Sequence, residues 1–105
     1  MKQSEANAIL AILDRNGWWN GRVDGPDPIR GDGHICLKMA IDRAITERGR
    51  KDIVLDDIGE QVKLLFPERV YHREFILPRS FNDHSETTEA DVRAVVKAAV
   101  TVLTR

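Results

Sequence analysis

The amino-acid sequence predicts an all-α fold, and three observations carry that prediction. Apolar residues recur at helical spacing in four separate stretches. Aromatic residues number only six in 105, so Ala, Ile, Leu and Val supply most of the core material, which favours packed helices over a sandwich. Glycine, proline and short polar clusters fall between those stretches as punctuation. The expected architecture is about four helices, with a long loop after the first and an irregular segment before the last. At this length residues 1–105 form a single helical domain. Such a chain buries roughly two thirds of its unfolded surface and folds without staples.

The first helix is expected over Ser4–Asn16, with Ser4 as N-cap and Gly17 just past the end. Ala6, Ile9, Leu10 and Leu13 form its apolar face, and Ile12 widens it. Residues 17–33 then read as a loop, because Gly21, Gly25, Gly31, Gly33, Pro26 and Pro28 are scattered through them. A connection of that length exceeds what a structureless link usually needs, and long loops are commonly functional. Trp18 and Trp19 stand at its start, one placed to seal the core and the other to remain partly exposed.

The second helix is expected from His34 to Arg48, ended by Gly49, with Leu37, Ala40, Ile41, Ala44 and Ile45 as its buried stripe. The third begins near Asp56 or Asp57, where acidic residues suit the helix dipole, and stops before Pro67. Leu55, Ile58, Val62 and Leu65 form its face. Across 68–81 the apolar residues Val70, Tyr71, Phe75, Ile76 and Leu77 favour packing, while Pro78 argues against a continuing helix. A short helical turn or an extended segment is expected there.

Phe81 to Glu86 reads as a polar loop running into the last helix, expected over Glu89–Thr104. Asn82 and Asp83 bend a chain before a helix, because their side chains bond nearby backbone groups. Thr88 and Asp91 have capping-box spacing, and Val92, Val95, Val96, Ala99 and Leu103 follow at helical intervals.

Charge excludes more than it implies. Sixteen basic and 17 acidic residues are interspersed, for a net charge of −1. Nucleic acid is therefore an unlikely partner, the best basic candidates being Arg69, Arg73 and Arg79 with Glu68 and Glu74 among them. Cys36 is the one cysteine, so an intrachain disulfide is impossible. No apolar run approaches the roughly 18 residues of a membrane span, and no secretory leader is visible, so the expected compartment is the cytoplasm.

Candidate chemistry is sparse. His34 and Cys36 lie two apart, and His72 and His84 are distant, so no metal-ligand spacing arises and no metal or cofactor is expected. Pro26 and Pro28 break any calcium-loop pattern among Asp24, Asp27 and Asp32. Cys36 is read as a small buried residue in preference to a nucleophile. The Gly31-Asp32-Gly33 turn lacks the lysine and the strand of a phosphate-binding loop. No nucleophile, base and orienter can be assembled, so the chain leans away from being an enzyme.

Gly17-Trp18, Cys36-Leu37 with Ala40 and Ala44, Asn82-Asp83, and Thr88 with Val92 together carry a resemblance. The chain resembles a small family of uncharacterised proteins from actinobacteria and their bacteriophages. It departs from that pattern in having Phe81 where the family has Trp, and Lys38-Met39 where it has Gly-Ala. The resemblance implies a mainly helical domain and no reaction. Its phage setting favours an accessory protein acting on host machinery.

The functional expectation is a non-enzymatic protein-interaction module, a phage or prophage accessory factor binding a host protein. Trp19 and Arg22 with the 20–33 loop are the expected contact surface, with Tyr71, His72 and Arg73 as a secondary one. The alternative is a small enzyme or ligand-binding protein centred on Asn82, Asp83 and His84. A third reading is a homo-oligomeric structural protein joined through a spare apolar face, for example Ile12, Ile35 and Met39.

Overall fold

The computed structural model describes residues 1–19, 35–70, 77–84 and 86–100. The architecture among them is all-α: α1 Gln3–Asn16, α2 Leu37–Ala44, α3 Arg48–Leu65, α4 Leu77–Asp83 and α5 Glu89–Ala98, with a 3-10 turn at Pro67–Arg69. The four expected helices are all present, and α4 adds a fifth. α1 packs on α2 and α5, while α3 packs on α2, α4, α5 and the 3-10 turn.

The core follows the helical periodicity. Ala6, Ile9 and Leu13 of α1 meet Leu37, Ala40 and Ile41 of α2, Val54, Ile58 and Val62 of α3, Phe81 of α4, and Val92, Val95 and Val96 of α5. Each of the larger aliphatics contributes about 1.5–3 kcal/mol by leaving water. Leu65, expected on the buried face of α3, is exposed; it is the last residue of the helix, one turn past Val62, the last buried position of the row.

Several element boundaries differ from the sequence expectation. α1 starts at Gln3, not after a Ser4 cap; the Lys2 N–H donates to Glu5 Oε1 at 2.8 Å, half of a capping box. The second helix stops at Ala44. Ile45 turns extended (φ −115°, ψ 105°), and α3 begins at Arg48, well before Asp56. Glu47 causes the early start. Its carboxylate accepts from the Gly49 and Arg50 N–H groups at 2.9 and 2.8 Å, which caps the helix. Gly49 is thus inside the first turn of α3 and does not end α2.

Pro78 also acts opposite to expectation. It occupies the second position of α4, where no intrahelical N–H is needed, so it starts a helix instead of barring one. Phe81, Asn82 and Asp83 are therefore helical and do not form a loop. The last helix is capped as expected: Thr88 Oγ1 accepts from the Asp91 N–H at 3.2 Å, and Asp91 Oδ2 accepts from the Thr88 N–H at 3.1 Å. Its expected end at Thr104, and Leu103, lie outside the described residues.

Candidate functional site

Of the sequence-named residues, Trp18, Trp19, Asn82 and Asp83 meet where α1 ends, α2 begins and α4 passes. α1 terminates at Gly17, whose φ of 84° is open to glycine and strained for other residues. Its N–H donates to the Leu13 carbonyl at 2.8 Å. The chain then pairs in parallel with the strand-like entry to α2: the Ile35 N–H donates to the Gly17 carbonyl at 2.9 Å, and the Trp19 N–H donates to the Ile35 carbonyl at 2.8 Å. Trp19 and Ile35, the described residues on either side of 20–34, are thus held next to each other.

Asn82 locks that point. It is fully buried on α4. Its Oδ1 accepts from the Trp18 indole N–H at 2.6 Å and from the Leu37 N–H at 3.0 Å. Its Nδ2 donates to the Trp19 carbonyl and to Asp83 Oδ1, each at 3.1 Å. Two accepted and two donated bonds exhaust what a carboxamide offers. The bond to Leu37 answers a local deficit. Cys36 holds the N-cap position of α2 but makes no side-chain cap bond, so a residue 45 positions away supplies the missing acceptor.

The expectation that Asn82 bends the chain by bonding its neighbours is therefore corrected, since three of its four partners lie 45 to 64 residues away. Asp83 is half-buried, with Oδ1 accepting from Asn82. His84 is half-buried, and its Nδ1 accepts from the Glu86 N–H at 3.0 Å. Trp18 and Trp19 are both half-buried, and Trp18 packs against the core. Arg22, Tyr71, His72 and Arg73 lie outside the described residues, as does His34. Ile35 is inside the core, which removes the middle residue of the self-association face named with Ile12 and Met39.

Next to Asn82, Phe81 carries a second cluster that the sequence reading missed. Its ring lies 5.1 Å from that of Phe66, and the Arg69 guanidinium sits 4.6 Å from the Phe66 centroid. Arg69 Nη1 donates to Asp91 Oδ2 at 2.6 Å. Arg69 is thus committed to an internal brace between the 3-10 turn and α5, and is not part of a basic surface. Burial pushes the Asp91 carboxyl up, but the Arg69 and Thr88 hydrogen bonds outweigh it and hold the group below its ordinary value. The aromatic spacing that carries the cluster is not periodic in sequence, so no pattern announces it.

Among the described residues no three His, Cys, Asp or Glu side chains gather as a metal set, and no helix is long and apolar enough to cross a membrane. The hydrogen-bonding groups of Asn82 all meet protein partners, so its chemistry is clamping. A family model described as a family of unknown function (DUF6197) matches residues 6–102. No curated protein and no solved structure matches the chain.

Proposed function

Since the chain belongs to DUF6197, a family of unknown function, we propose, from its own geometry, that it is a non-enzymatic protein-interaction module. The observation that supports this reading is the clamp on the residues that flank 20–34, where the Trp18–Ile35 pairing and three Asn82 bonds, to Trp18, Trp19 and Leu37, hold those flanks to the helices. Binding residues commonly sit on loops held by a rigid scaffold. The contact surface is Trp19 and Arg22 with the 20–33 segment, and secondarily Tyr71, His72 and Arg73. The cytoplasm as compartment, the phage or prophage setting and a host protein as partner rest on the sequence and its resemblance alone. The reading that centres a ligand site on Asn82, Asp83 and His84 gains nothing from an Asn82 amide already saturated inside the protein.

The test is affinity capture from an actinobacterial lysate. The native chain is compared with an Arg22→Ala variant and with a chain whose residues 21–33 are replaced by a Gly-Ser segment of equal length. Circular dichroism and thermal melting establish that the variants stay folded. A host protein enriched by the native chain and lost with both variants supports the reading. Equal enrichment by all three, or none by the native chain, removes it.

A further inference from the structure

We propose that the outward face of α3 docks a cationic amphipathic helix, independently of the 20–34 segment. Single exposed aliphatics are ordinary on a protein surface. Here two of them share a helix face. Ile53 is 45% exposed and Leu64 is 71% exposed. They are eleven residues apart in one unbroken helix. At 100° per residue that spacing returns to within about 20° of the same direction, some three turns or about 16 Å further along. The buried row Val54, Ile58, Val62 points to the other side of α3.

Charge selects the occupant. Between the two aliphatics lie Asp56, Asp57 and Glu60, with Asp52 at the near edge. Lys63 pairs with Glu60 at 3.2 Å and the Met1 amine with Asp57 at 2.5 Å, so part of the charge is offset. The Lys63–Glu60 pair is exposed on both sides, so it is screened and weak, and Asp52 and Asp56 keep the face negative. A second copy of the chain is a poor occupant. A two-fold axis that brings Ile53 of one chain to Leu64 of the other also sets Asp57 against Glu60, twice. Like charges across an interface oppose pairing. A helix with apolar residues at the same spacing and lysine or arginine beside them satisfies both features, as amphipathic helices do in apolar grooves.

The probe is a synthetic helical peptide of about 18 residues, five turns long, with leucines on one face and lysines flanking them. A matched peptide with glutamates for the lysines is the control. Calorimetry on the full chain should give binding of the lysine peptide at least about tenfold tighter than of the control, weakened by salt. Leu64→Ser alone, and Asp56→Asn with Glu60→Gln, should each weaken it about tenfold. These residues are exposed, so the variants stay folded. The chain with residues 21–33 replaced should bind the peptide unchanged, which separates this proposal from the loop reading. Equal affinity for both peptides, or binding indifferent to Leu64→Ser, overturns the proposal. So does a native dimer that Leu64→Ser converts to monomer, because the face then belongs to a second copy.

Discussion

The carboxamide oxygen of Asn82 accepts the indole N–H of Trp18 at 2.6 Å across 64 residues of sequence. Removing that amide strands the Trp18 indole N–H and the Leu37 N–H in a buried or part-buried site. Leaving buried partners unsatisfied costs about 1–3 kcal/mol for each group, moderated where water can enter. Asn82→Ala should therefore destabilise the chain by roughly 2–4 kcal/mol in urea unfolding. A Trp18→Phe, Asn82→Ala double-mutant cycle should return a coupling above about 0.5 kcal/mol. Additive single effects would mean that the two side chains do not act together.

Arg69 bridges two kinds of contact, the Phe66 ring at 4.6 Å and Asp91 Oδ2 at 2.6 Å. Arg69→Met keeps most of the apolar stem but loses both. It should cost about 1–3 kcal/mol, less than a fully buried pair, because both partners keep some solvent. The Asp91 carboxyl should also titrate at higher pH in the variant, since its main opposing cation is gone. An NMR titration of Asp91 reads that shift, and an unchanged titration would contradict the brace. Arg69→Lys should not restore stability, because a point charge cannot stack on the ring as a guanidinium does.

The helices were legible because their signal is local. The Ala6, Ile9, Leu13 row and the Thr88–Asp91 box depend on neighbours within one or two turns, and both are present as expected. The junction of the second and third helices is not legible from periodicity, because Gly49 reads as a stop while the Glu47 carboxylate caps α3 around it. The site was legible only as a list of residue types. Asn82 reads as a turn former because most Asn side chains bond nearby backbone, whereas here Trp18, Trp19 and Leu37 reach it through tertiary packing. Periodicity cannot report a partner 64 positions away.

The pair between Glu5 and Arg50 makes stability depend on acid. Arg50 Nε donates to Glu5 Oε2 at 2.9 Å and Nη2 donates to Oε1 at 2.6 Å, while the Lys2 N–H adds a third bond. The Arg50 hydrogen bonds lead the effect, against burial, and the Glu5 carboxyl falls from its ordinary 4.5 to about 2. A depressed folded pKa means that the unfolded chain takes up the proton first. The contribution is therefore whole above pH 4.5 and is lost as pH falls toward 2. Glu5→Gln should flatten the stability profile in that window and leave its shape near neutrality unchanged. Unfolding curves collected from pH 7 to pH 2 compare the two profiles, and parallel curves would exclude this linkage.

Two glycines that look alike in sequence should respond oppositely to alanine. Gly17 and Gly49 each follow an apolar-periodic stretch, and each reads as a helix stop. Gly17 has that role: its φ of 84° and ψ of 138° lie where a Cβ is strained. Gly17→Ala should cost about 1–3 kcal/mol, the usual range for a residue forced into a sparsely populated backbone region. Gly49 instead sits in the first turn of α3, and Gly17 is the only positive-φ glycine among the described residues. A Cβ there would meet Glu47 Oε1 at 3.1 Å, a close approach to the tip of an exposed, flexible side chain that can yield by a few tenths of an ångström. Alanine also favours the helix by up to about 1 kcal/mol over glycine. The net effect of Gly49→Ala should lie between zero and about 1 kcal/mol of stabilisation, provided that the Glu47 cap survives the adjustment. Thermal melting of both variants decides it. A destabilised Gly49→Ala would mean either that the cap is lost or that α3 begins later than Arg48, and Glu47→Ala in the same background separates the two. If the cap is already lost, the second substitution changes nothing further.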